Sequence, residues 1–272
     1  MTFKQSNYWL ETVTLPTATP GDLLPQVDVA IVGAGFTGLS AARTLAKRGA
    51  KVAVLEANTI GWGASSRNGG MVLTGMKLDV ETLTARYGME AAKRMYAASL
   101  ASIAVVEQIV REEQIDCSFS RCGHLEVACK QSHFDAYARS VELIGREFNH
   151  QIRVVSRRVL RSEIGSDIYF GGMVDDLSAG LNPARYVAGL GRAALAAGAG
   201  VFENACVRRI TRSSNGGQSG FQLDTSRGRI FAKDVFIATS GYTSSATPAL
   251  RKRYLKLRYW DSSLGSTASV MS

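Results

Sequence analysis

Three glycines and a glutamate have the spacing of residues that bind a dinucleotide. Gly33, Gly35 and Gly38 form the pattern GxGxxG, and Glu56 follows about twenty residues later. In this pattern Gly33 permits a tight turn, Gly35 leaves room for a pyrophosphate, and Gly38 lets a helix pack closely on a strand. Glu56 can accept hydrogen bonds from ribose hydroxyls, and its charge disfavours a 2′-phosphate. The motif therefore predicts a cofactor that contains ADP, either NAD or FAD.

A second glycine-rich stretch, GWGASSRNGG at residues 61–70, follows the glutamate closely. Its small side chains leave backbone amides accessible and Arg67 adds one positive charge, so the stretch is suited to an anionic ligand. An NAD dehydrogenase needs no such loop at this point, whereas FAD carries a ribityl chain and a flavin that must be held further along. The loop favours FAD, and NAD remains the alternative.

The segments around these motifs predict a strand, a helix and a second strand. Residues 27–32 and 51–56 are nearly all apolar, as expected of parallel strands that are covered on both faces. A helix at about residues 37–48 is expected to end at Gly49. The predicted fold class is therefore α/β, with a Rossmann-type domain.

Beyond the second loop, hydrophobic periodicity and turn residues predict a mixture of helices and strands. Two helices are predicted at residues 81–114 and 131–148. A third is predicted to begin at Pro183, with Asn182 as its cap, and to end at Gly198. The predicted strands are a hairpin at 117–129, single strands at 168–174 and 200–203, an antiparallel meander at 206–212, 220–225 and 228–232, and the apolar stretch DVFIATSGY.

Composition narrows the possible functions. The chain has 272 residues, of which 46% are hydrophobic, which is enough for a sizeable core. The net charge is +9, but the charges are scattered, and the densest cluster (251–253, Lys256 and Arg258) accompanies no nucleic-acid motif. No nucleic-acid partner is predicted. Because we find neither a signal peptide nor a long apolar run, we expect a cytoplasmic protein with no membrane partner.

The four cysteines, Cys117, Cys122, Cys129 and Cys206, match neither zinc-knuckle spacing nor a dense disulfide framework. We expect them to be small, buried hydrophobic residues in a reducing compartment. No metal site is predicted.

The motifs together resemble the D-amino-acid-oxidase-like family of FAD-dependent oxidoreductases. The resemblance rests on AIVGAGFTGLSAARTLAKRGAKVAVLEA followed by GWGASSRNGG. The most similar branch is that of gamma-glutamylputrescine oxidase and other amine oxidases. RCGHLEVA, LNPARYVAGLGRAALAAGAGVFENACVRRI and GRIFAKDVFIATSGYTS resemble later segments of the same branch. The resemblance runs from about residue 7 to residue 253.

This resemblance implies two interleaved domains. Residues 25–80 and 181–245 would form a discontinuous FAD-binding domain with a parallel sheet and an antiparallel meander. Residues 81–180 would begin an α+β substrate domain, residues 1–24 would be an N-terminal arm, and residues 246–272 a divergent tail. Relatives continue with more substrate-domain strands and a return to the FAD domain. The fold is therefore expected to be incomplete at its C-terminus.

The resemblance also implies which residues hold FAD. They belong to the fingerprint, the second loop, the adenine region and a return turn. The implied cofactor-binding residues are Gly33, Gly35, Phe36, Thr37, Gly38, Glu56, Ala57, Ser65, Ser66, Arg67, Asn68, Gly69, Gly70, Val207, Thr239, Ser240 and Gly241. Ser66 departs from the branch, which often has glycine at this position.

The implied chemistry is hydride transfer from an amine-bearing carbon to the flavin, followed by imine hydrolysis and reoxidation by O₂ to give H₂O₂. The implied substrate is an amine or amino acid similar to gamma-glutamylputrescine. Two alternatives remain, a truncated fragment that binds FAD without turnover and an NAD-dependent dehydrogenase. The amine, the electron acceptor and the oligomeric state stay open.

The sequence does not identify the catalytic residues. His124 is the one side chain considered for catalysis, and a structural role is the more common fate of such a histidine. His133 and His150 are expected to be surface residues. Asp175 and Asp176 are expected to point to opposite faces and to serve a loop or a cap.

Overall fold

The computed structural model describes residues 6–253. Its strands are β1 (Gln26–Val32), β2 (Val52–Leu55), β3 (Met71–Val72), β4 (His124–Val127), β5 (Arg153–Ser156), β6 (Gly171–Asp175), β7 (Ala179–Gly180), β8 (Gly200–Phe202), β9 (Val207–Asn215), β10 (Gln218–Thr225) and β11 (Gly228–Ile237). Its α-helices are α1 (Phe36–Lys47), α2 (Val80–Tyr87), α3 (Met89–Glu112), α4 (Gln131–Glu147), α5 (Pro183–Ala196) and α6 (Pro248–Arg251). The part of the predicted tail (246–272) that follows residue 253, with Lys256 and Arg258, lies outside the described residues.

The described chain divides into two compact units. The first unit holds the residues up to Gly69, the short segment Ile115–Cys117 and the residues from Asn182 onward. The second unit holds Gly70–Gln114 and Ser118–Leu181. The second unit includes residues 81–180, for which the resemblance implies a substrate domain, apart from Ile115–Cys117. The assignment of FAD binding to one part and substrate binding to the other stays a prediction.

The first unit is built on a six-stranded sheet with the order β8-β2-β1-β11-β10-β9. The first four strands run parallel, and β11, β10 and β9 are joined antiparallel. All four residues of β2 are buried, as are Ala30 and Ile31 of β1, which explains why the sequences of these strands are apolar runs. The predicted α/β class, with a parallel sheet and an antiparallel meander, is confirmed.

β11 is one continuous strand, although the sequence predicts two. It pairs antiparallel with β10 through Gly228–Ala232 and parallel with β1 from Phe231 to Ile237. The charged pair at residues 233–234 interrupts the apolar pattern and suggests a break. In the fold, however, Lys233 reaches the surface, where its Nζ lies 2.6 Å from Asp28 Oδ1. The strand continues because its backbone pairs with β10 and then with β1, while the side chains of Lys233 and Asp234 are exposed to solvent.

The two long helices of the first unit, α1 and α5, follow their local signals. α1 occupies Phe36–Lys47, and Gly49 has a φ of 85°, which ends the helix. α5 begins at Pro183, and the side chain of Asn182 accepts hydrogen bonds from the amides of Ala184 and Arg185, each at 3.1 Å. Both helices are therefore placed within one or two residues by capping chemistry.

The second unit contains a three-stranded antiparallel sheet with the order β4-β6-β5, a two-stranded ribbon of β3 and β7, and the helices α2 to α4. The predicted helix at 81–114 is two helices, because Gly88 has φ 78° and ψ 157° between α2 and α3. The helix predicted at 131–148 is α4, and the strand predicted at 168–174 is β6, shifted toward the C-terminus.

The predicted hairpin at 117–129 is wrong. Only His124–Val127 forms a strand, β4, and it pairs with β6 rather than with its own neighbours. The backbone leaves the extended region at Ser118, with a φ of 54°, and at Gly123, with a φ of 71°. The residues before β4 pair elsewhere too, since Ser120 forms an isolated bridge with Gly180.

Candidate functional site

A cavity of about 470 Å³ lies in the first unit, at the carboxyl ends of β1, β2 and β11. β1 lies between the other two strands in the sheet. The chain passes from β1 through α1 to β2 on one side, while β11 joins β1 on the other side. In open α/β sheets, ligands bind where the connections diverge in this way.

Most of the predicted cofactor-binding residues line this cavity. They are Gly33, Gly35, Phe36, Thr37, Glu56, Ala57, Ser65, Asn68, Val207, Thr239 and Ser240. The fold therefore brings five separate stretches of the sequence to one place. Six predicted residues do not line it, namely Gly38, Ser66, Arg67, Gly69, Gly70 and Gly241.

Several lining residues were missed by the sequence reasoning. They are Val32, Ala34, Leu55, Asn58, Trp62, Gly63, Ala64, Cys206, Ala238, Tyr242 and Ser244. Most of them flank the predicted residues, so widening each motif by two positions would have found them. Tyr242 and Trp62 form an aromatic pair with ring centroids 5.7 Å apart, which only the folded chain brings together.

The three fingerprint glycines have different surroundings. A Cβ at Gly38 would lie 1.9 Å from the carbonyl oxygen of Gly33, so Gly38 packs the helix against the turn. Gly33 has a φ of 107°, and a Cβ there would lie 2.7 Å from the carbonyl oxygen of Ala238. A Cβ at Gly35 would approach only the side chain of Ser65, with Oγ at 2.8 Å. Gly35 lines the cavity and is the one of the three at which a Cβ would meet no backbone atom.

The N-terminus of α1 is suited to an anion. Its cap residue, Gly35, provides no side chain to bond the first amides, and the first turn contains no acidic residue. The amide of Phe36 donates a 3.0 Å hydrogen bond to Ser65 Oγ, a hydroxyl from the second loop. The helix dipole and the amides at this end favour a phosphate group.

Glu56 is held at the end of β2 by two backbone amides. The amide of Ala34 donates to Oε2 at 2.8 Å, and the amide of Asn58 donates to Oε1 at 2.9 Å. Each oxygen keeps a further lone pair. The carboxylate therefore has a fixed orientation at the cavity and can accept the hydroxyls of a ribose, as the fingerprint requires.

The second loop is held by its own polar side chains. Asn68 Nδ2 donates to the carbonyl oxygens of Ala64 and Ser65, at 3.0 and 3.3 Å. Arg67 Nε donates to the carbonyl oxygen of Trp62 at 2.9 Å, and its guanidinium lies 4.9 Å from the centre of the Trp62 ring. Arg67 thus fixes the loop and does not line the cavity as a cation for the ligand.

The volume and the polar groups of this cavity fit the ADP portion of FAD. The open side of Gly35, the amides at the start of α1 and the oriented carboxylate of Glu56 all belong to one cavity. A smaller cavity of about 280 Å³ beside α6 is lined mainly by apolar residues, such as Ile210, Val235 and Ile237. Of these two cavities, the larger one combines room for a nucleotide with groups that recognise one.

His124 lies on β4 in the second unit, opposite Asp175 in the strand register, and is half-buried. Within the part of the chain that the structure describes, its imidazole has no hydrogen-bond partner in the second unit. His133 is exposed on α4, as expected. The geometry of the second unit therefore gives His124 no partner for proton transfer.

The expectation that His150 lies at the surface is wrong. It is 2% exposed, with Nδ1 2.8 Å from Tyr96 Oη and Nε2 3.1 Å from Asp175 Oδ1. Asn149, with a φ of 52°, turns the chain inward after α4. Burial and the nearby Asp175 raise the pKa of Tyr96 to about 12, so the phenol keeps its proton and can donate it to His150.

Asp175 and Asp176 point to opposite sides, as expected from adjacent residues of an extended chain. Asp176 is exposed and pairs with Arg153, whereas Asp175 is 7% exposed. Burial by itself raises the pKa of Asp175, but the hydrogen bonds that this carboxylate accepts outweigh that effect and hold its pKa below the ordinary value. The donors are His150, Thr74, the amide of Leu177 and Ser178.

The expectation of four buried cysteines is wrong for two of them. Cys117 is buried and Cys206 is half-buried, but Cys122 and Cys129 are exposed. No disulfide joins the four, all of which lie within the described residues. Between residues 6 and 253, no group of three His, Cys, Asp or Glu residues is placed to hold a metal ion. In the same range, every helix is too short or too polar to cross a bilayer.

The fold and the cavity define an α/β protein of the dinucleotide-binding class. Residues 28–260 match the model of the family described as FAD dependent oxidoreductase (DAO). The chain belongs to this family. Because the family is FAD-dependent, the prediction of FAD rather than NAD as the cofactor is confirmed.

Two curated proteins with similar sequences extend the comparison. The chain is 31% identical over 227 residues to gamma-glutamylputrescine oxidoreductase of Escherichia coli, covering 83% of this chain and 52% of that protein. It is 30% identical over 220 residues to the probable oxidoreductase OrdL of Haemophilus influenzae, covering 80% of this chain and 50% of that protein. The chain thus spans about half the length of the curated relatives it matches.

Solved structures support the fold. The crystal structure of glycine oxidase from Geobacillus kaustophilus superposes with a TM-score of 0.69 at 24% identity, over 84% of this chain and 59% of that one. L-amino acid deaminase from Proteus vulgaris superposes with a TM-score of 0.68 at 18% identity, over 83% and 50%. At these identities the likeness concerns the fold alone.

Proposed function

We propose that the cavity of the first unit holds the ADP portion of FAD, as part of an oxidoreductase that oxidises a C–N bond of an amine or amino acid. The observation that carries this proposal is the gathering of Gly35, the start of α1 and Glu56 around one cavity. Family membership supports the cofactor and the general class of reaction.

Individual residues take separate tasks in this proposal. The amides at the start of α1 would bind the pyrophosphate, and Glu56 would accept the ribose hydroxyls. Val207 would lie beside the adenine, while Asn68 and Thr239 would line the path toward the flavin. When bound, FAD supplies the hydride acceptor for amine oxidation, with O₂ as the proposed final acceptor and H₂O₂ as its product.

The proposed substrate class is an amine or amino acid similar to gamma-glutamylputrescine. The name of the Escherichia coli relative supports it. We also propose a cytoplasmic location, because the exposed thiols of Cys122 and Cys129 persist without disulfides in a reducing compartment.

The cofactor is tested first. The chain is purified, and any bound cofactor is released by heat and identified by chromatography against FAD, FMN and NAD standards. We expect FAD in a ratio close to one per chain. A protein that neither retains nor takes up FAD would overturn the proposal.

Turnover is tested separately, because the chain spans about half the length of its relatives. The FAD-loaded protein is incubated with gamma-glutamylputrescine and with a panel of amines and amino acids, and H₂O₂ release is measured. Peroxide with one of these substrates supports amine oxidation by this chain. Bound FAD without turnover supports the alternative, a chain that binds FAD but does not oxidise amines by itself.

A further inference from the structure

The N-terminal arm, which we define as residues 6–24, contacts the second loop through the side chain of Asn7. Asn7 Oδ1 accepts a 3.0 Å hydrogen bond from the amide of Trp9 and so caps the 3-10 helix Tyr8–Thr12. At the other end of the same side chain, Nδ2 donates to the carbonyl oxygen of Ser66 at 2.8 Å and to Ser66 Oγ at 3.0 Å. One amide group therefore joins the arm to the loop.

Ser66 occupies a critical place in the loop. It is fully buried and ends the 3-10 helix Ala64–Ser66. The hydroxyl of its neighbour Ser65 accepts a hydrogen bond from the amide of Phe36. The same hydroxyl lies beside Gly35 in the cavity. The position of Ser66 thus fixes the position of Ser65 and, through it, the wall of the cavity at the start of α1.

The arm is itself attached to a rigid element. Asn182, the cap residue of α5, donates from Nδ2 to Thr12 Oγ1 at 2.8 Å. Arg185 Nε donates to the carbonyl oxygen of Thr12 at 3.2 Å. Asn7 therefore connects the second loop to α5, a helix whose residues are mostly buried.

We propose that Asn7 is a positioning residue for the cofactor, which acts by holding Ser66 and thereby keeping the second loop closed on the ADP site. The arm lies before residue 28, where the family match begins, so the match does not include this contact. The inference rests on the proposed function in one respect only, namely that the cavity holds FAD.

Asn7→Asp is the decisive variant, because it separates the two tasks of the side chain. The isosteric carboxylate keeps an acceptor for the amide of Trp9 but has no N–H to donate to the Ser66 carbonyl. Ser6→Ala is the matched control, because it removes another hydrogen bond of the arm, to Glu11, and leaves the second loop untouched.

Two measurements are made on each protein. The first is hydrogen exchange of the peptide that contains residues 61–70, in protein stripped of FAD, and the second is the dissociation rate of FAD. For Asn7→Asp we expect both to become faster by about threefold to tenfold, as for the loss of one or two partly buried hydrogen bonds. Ser6→Ala should match the unaltered protein in both.

A double variant tests whether Asn7 acts through Ser66. Ser66→Ala removes one of the two acceptors of the Asn7 side chain. In the double variant with Asn7→Asp, the fold-change of each rate should therefore be smaller than the product of the two single fold-changes. Unchanged loop exchange in Asn7→Asp, or faster exchange with unchanged FAD release, would overturn the proposal. If the unaltered chain fails to bind FAD, the proposed function fails, while the exchange measurement still decides whether Asn7 holds the loop.

Discussion

At the scale of single residues, the glycines of the fingerprint differ in what a side chain would disturb. A Cβ at Gly33 or Gly38 would lie 2.7 or 1.9 Å from a backbone carbonyl oxygen, so larger residues there would disrupt the fold itself. Gly35 has a φ of −91° and faces only the side chain of Ser65. Gly35 is therefore the position at which cofactor binding can be changed separately from folding.

We expect Gly35→Val to abolish FAD binding while the protein stays folded. The valine side chain would displace Ser65 Oγ and fill the space that a pyrophosphate needs. FAD uptake is followed by quenching of flavin fluorescence, and folding by circular dichroism.

The matched control is Gly165→Val. Gly165 lies in the second unit and has no atom within 4 Å of a Cβ, so this variant should bind FAD normally. FAD uptake by Gly35→Val at the unaltered level would show that the pyrophosphate does not lie at the start of α1.

At the scale of elements, local chemistry made some predictions reliable. α1 and α5 were placed from a glycine or proline at their ends and from Asn182 as a cap, and these signals act within a few residues of the chain. β1 and β2 were placed because strands buried on both faces need apolar residues throughout.

Other elements depend on partners that are distant in the sequence. β4 pairs with β6, so the pattern of residues 117–129 alone could not exclude a hairpin. β5 was not predicted, because three of its four residues are exposed and only Val155 is buried. The continuity of β11 depends on β1, a strand near the start of the chain, which pairs with Phe231–Ile237 where the pairing with β10 ends.

Alanine substitutions at two glycines, Gly88 between α2 and α3 and Gly145 within α4, are expected to change the free energy of unfolding in opposite directions. Gly88 has φ 78° and ψ 157°, a region that is almost confined to glycine, so Gly88→Ala should lower the free energy of unfolding by about 1–3 kcal/mol. Gly145 lies within α4, where a Cβ would make only ordinary contacts, the nearest at 3.8 Å. Gly145→Ala should raise the free energy of unfolding by about 0.5–1 kcal/mol.

Both glycine variants are measured by urea denaturation followed by circular dichroism. Equal effects of the two substitutions would contradict this account, since the difference rests entirely on backbone geometry. A stabilised Gly88→Ala protein would mean that α2 and α3 can join into one continuous helix, as the sequence pattern suggested.

At the scale of the whole molecule, contiguous motifs predicted half of the residues that line the cavity. The fingerprint and the second loop each line it with several consecutive residues. Arg67 could not be judged from the sequence, because its direction depends on the ring of Trp62. The buried cluster of His150, Tyr96 and Asp175 could not be predicted, because its members come from three distant segments.

This cluster should make stability depend on pH. The pKa of Asp175 is lower in the folded protein than in the unfolded chain, where it is about 3.9. Its contribution is therefore fully present above about pH 4 and is lost as the pH falls below that value. Asp175→Asn should lower the free energy of unfolding at pH 7 by about 2–4 kcal/mol and should flatten its decline in acid.

The measurement is urea denaturation at a series of pH values from 7 to about 3. Asp176→Asn is the matched control, because Asp176 is exposed and its ion pair with Arg153 lies at the surface. Such pairs contribute about 0–1 kcal/mol, so this variant should follow the unaltered protein. An acid-dependent decline that is equally steep in Asp175→Asn would contradict the assignment to Asp175.

The pairing of β1 with β11 has a consequence for biosynthesis. Val32 faces Ile237 in the register, so the central pair of the parallel sheet joins two distant parts of the chain. At about 5–20 residues per second, the ribosome completes β11 roughly 10–40 seconds after β1. During this interval the hydrogen-bonding edge of β1, which β11 covers in the finished sheet, has no partner strand. We therefore expect the nascent chain to depend on chaperones until β11 emerges.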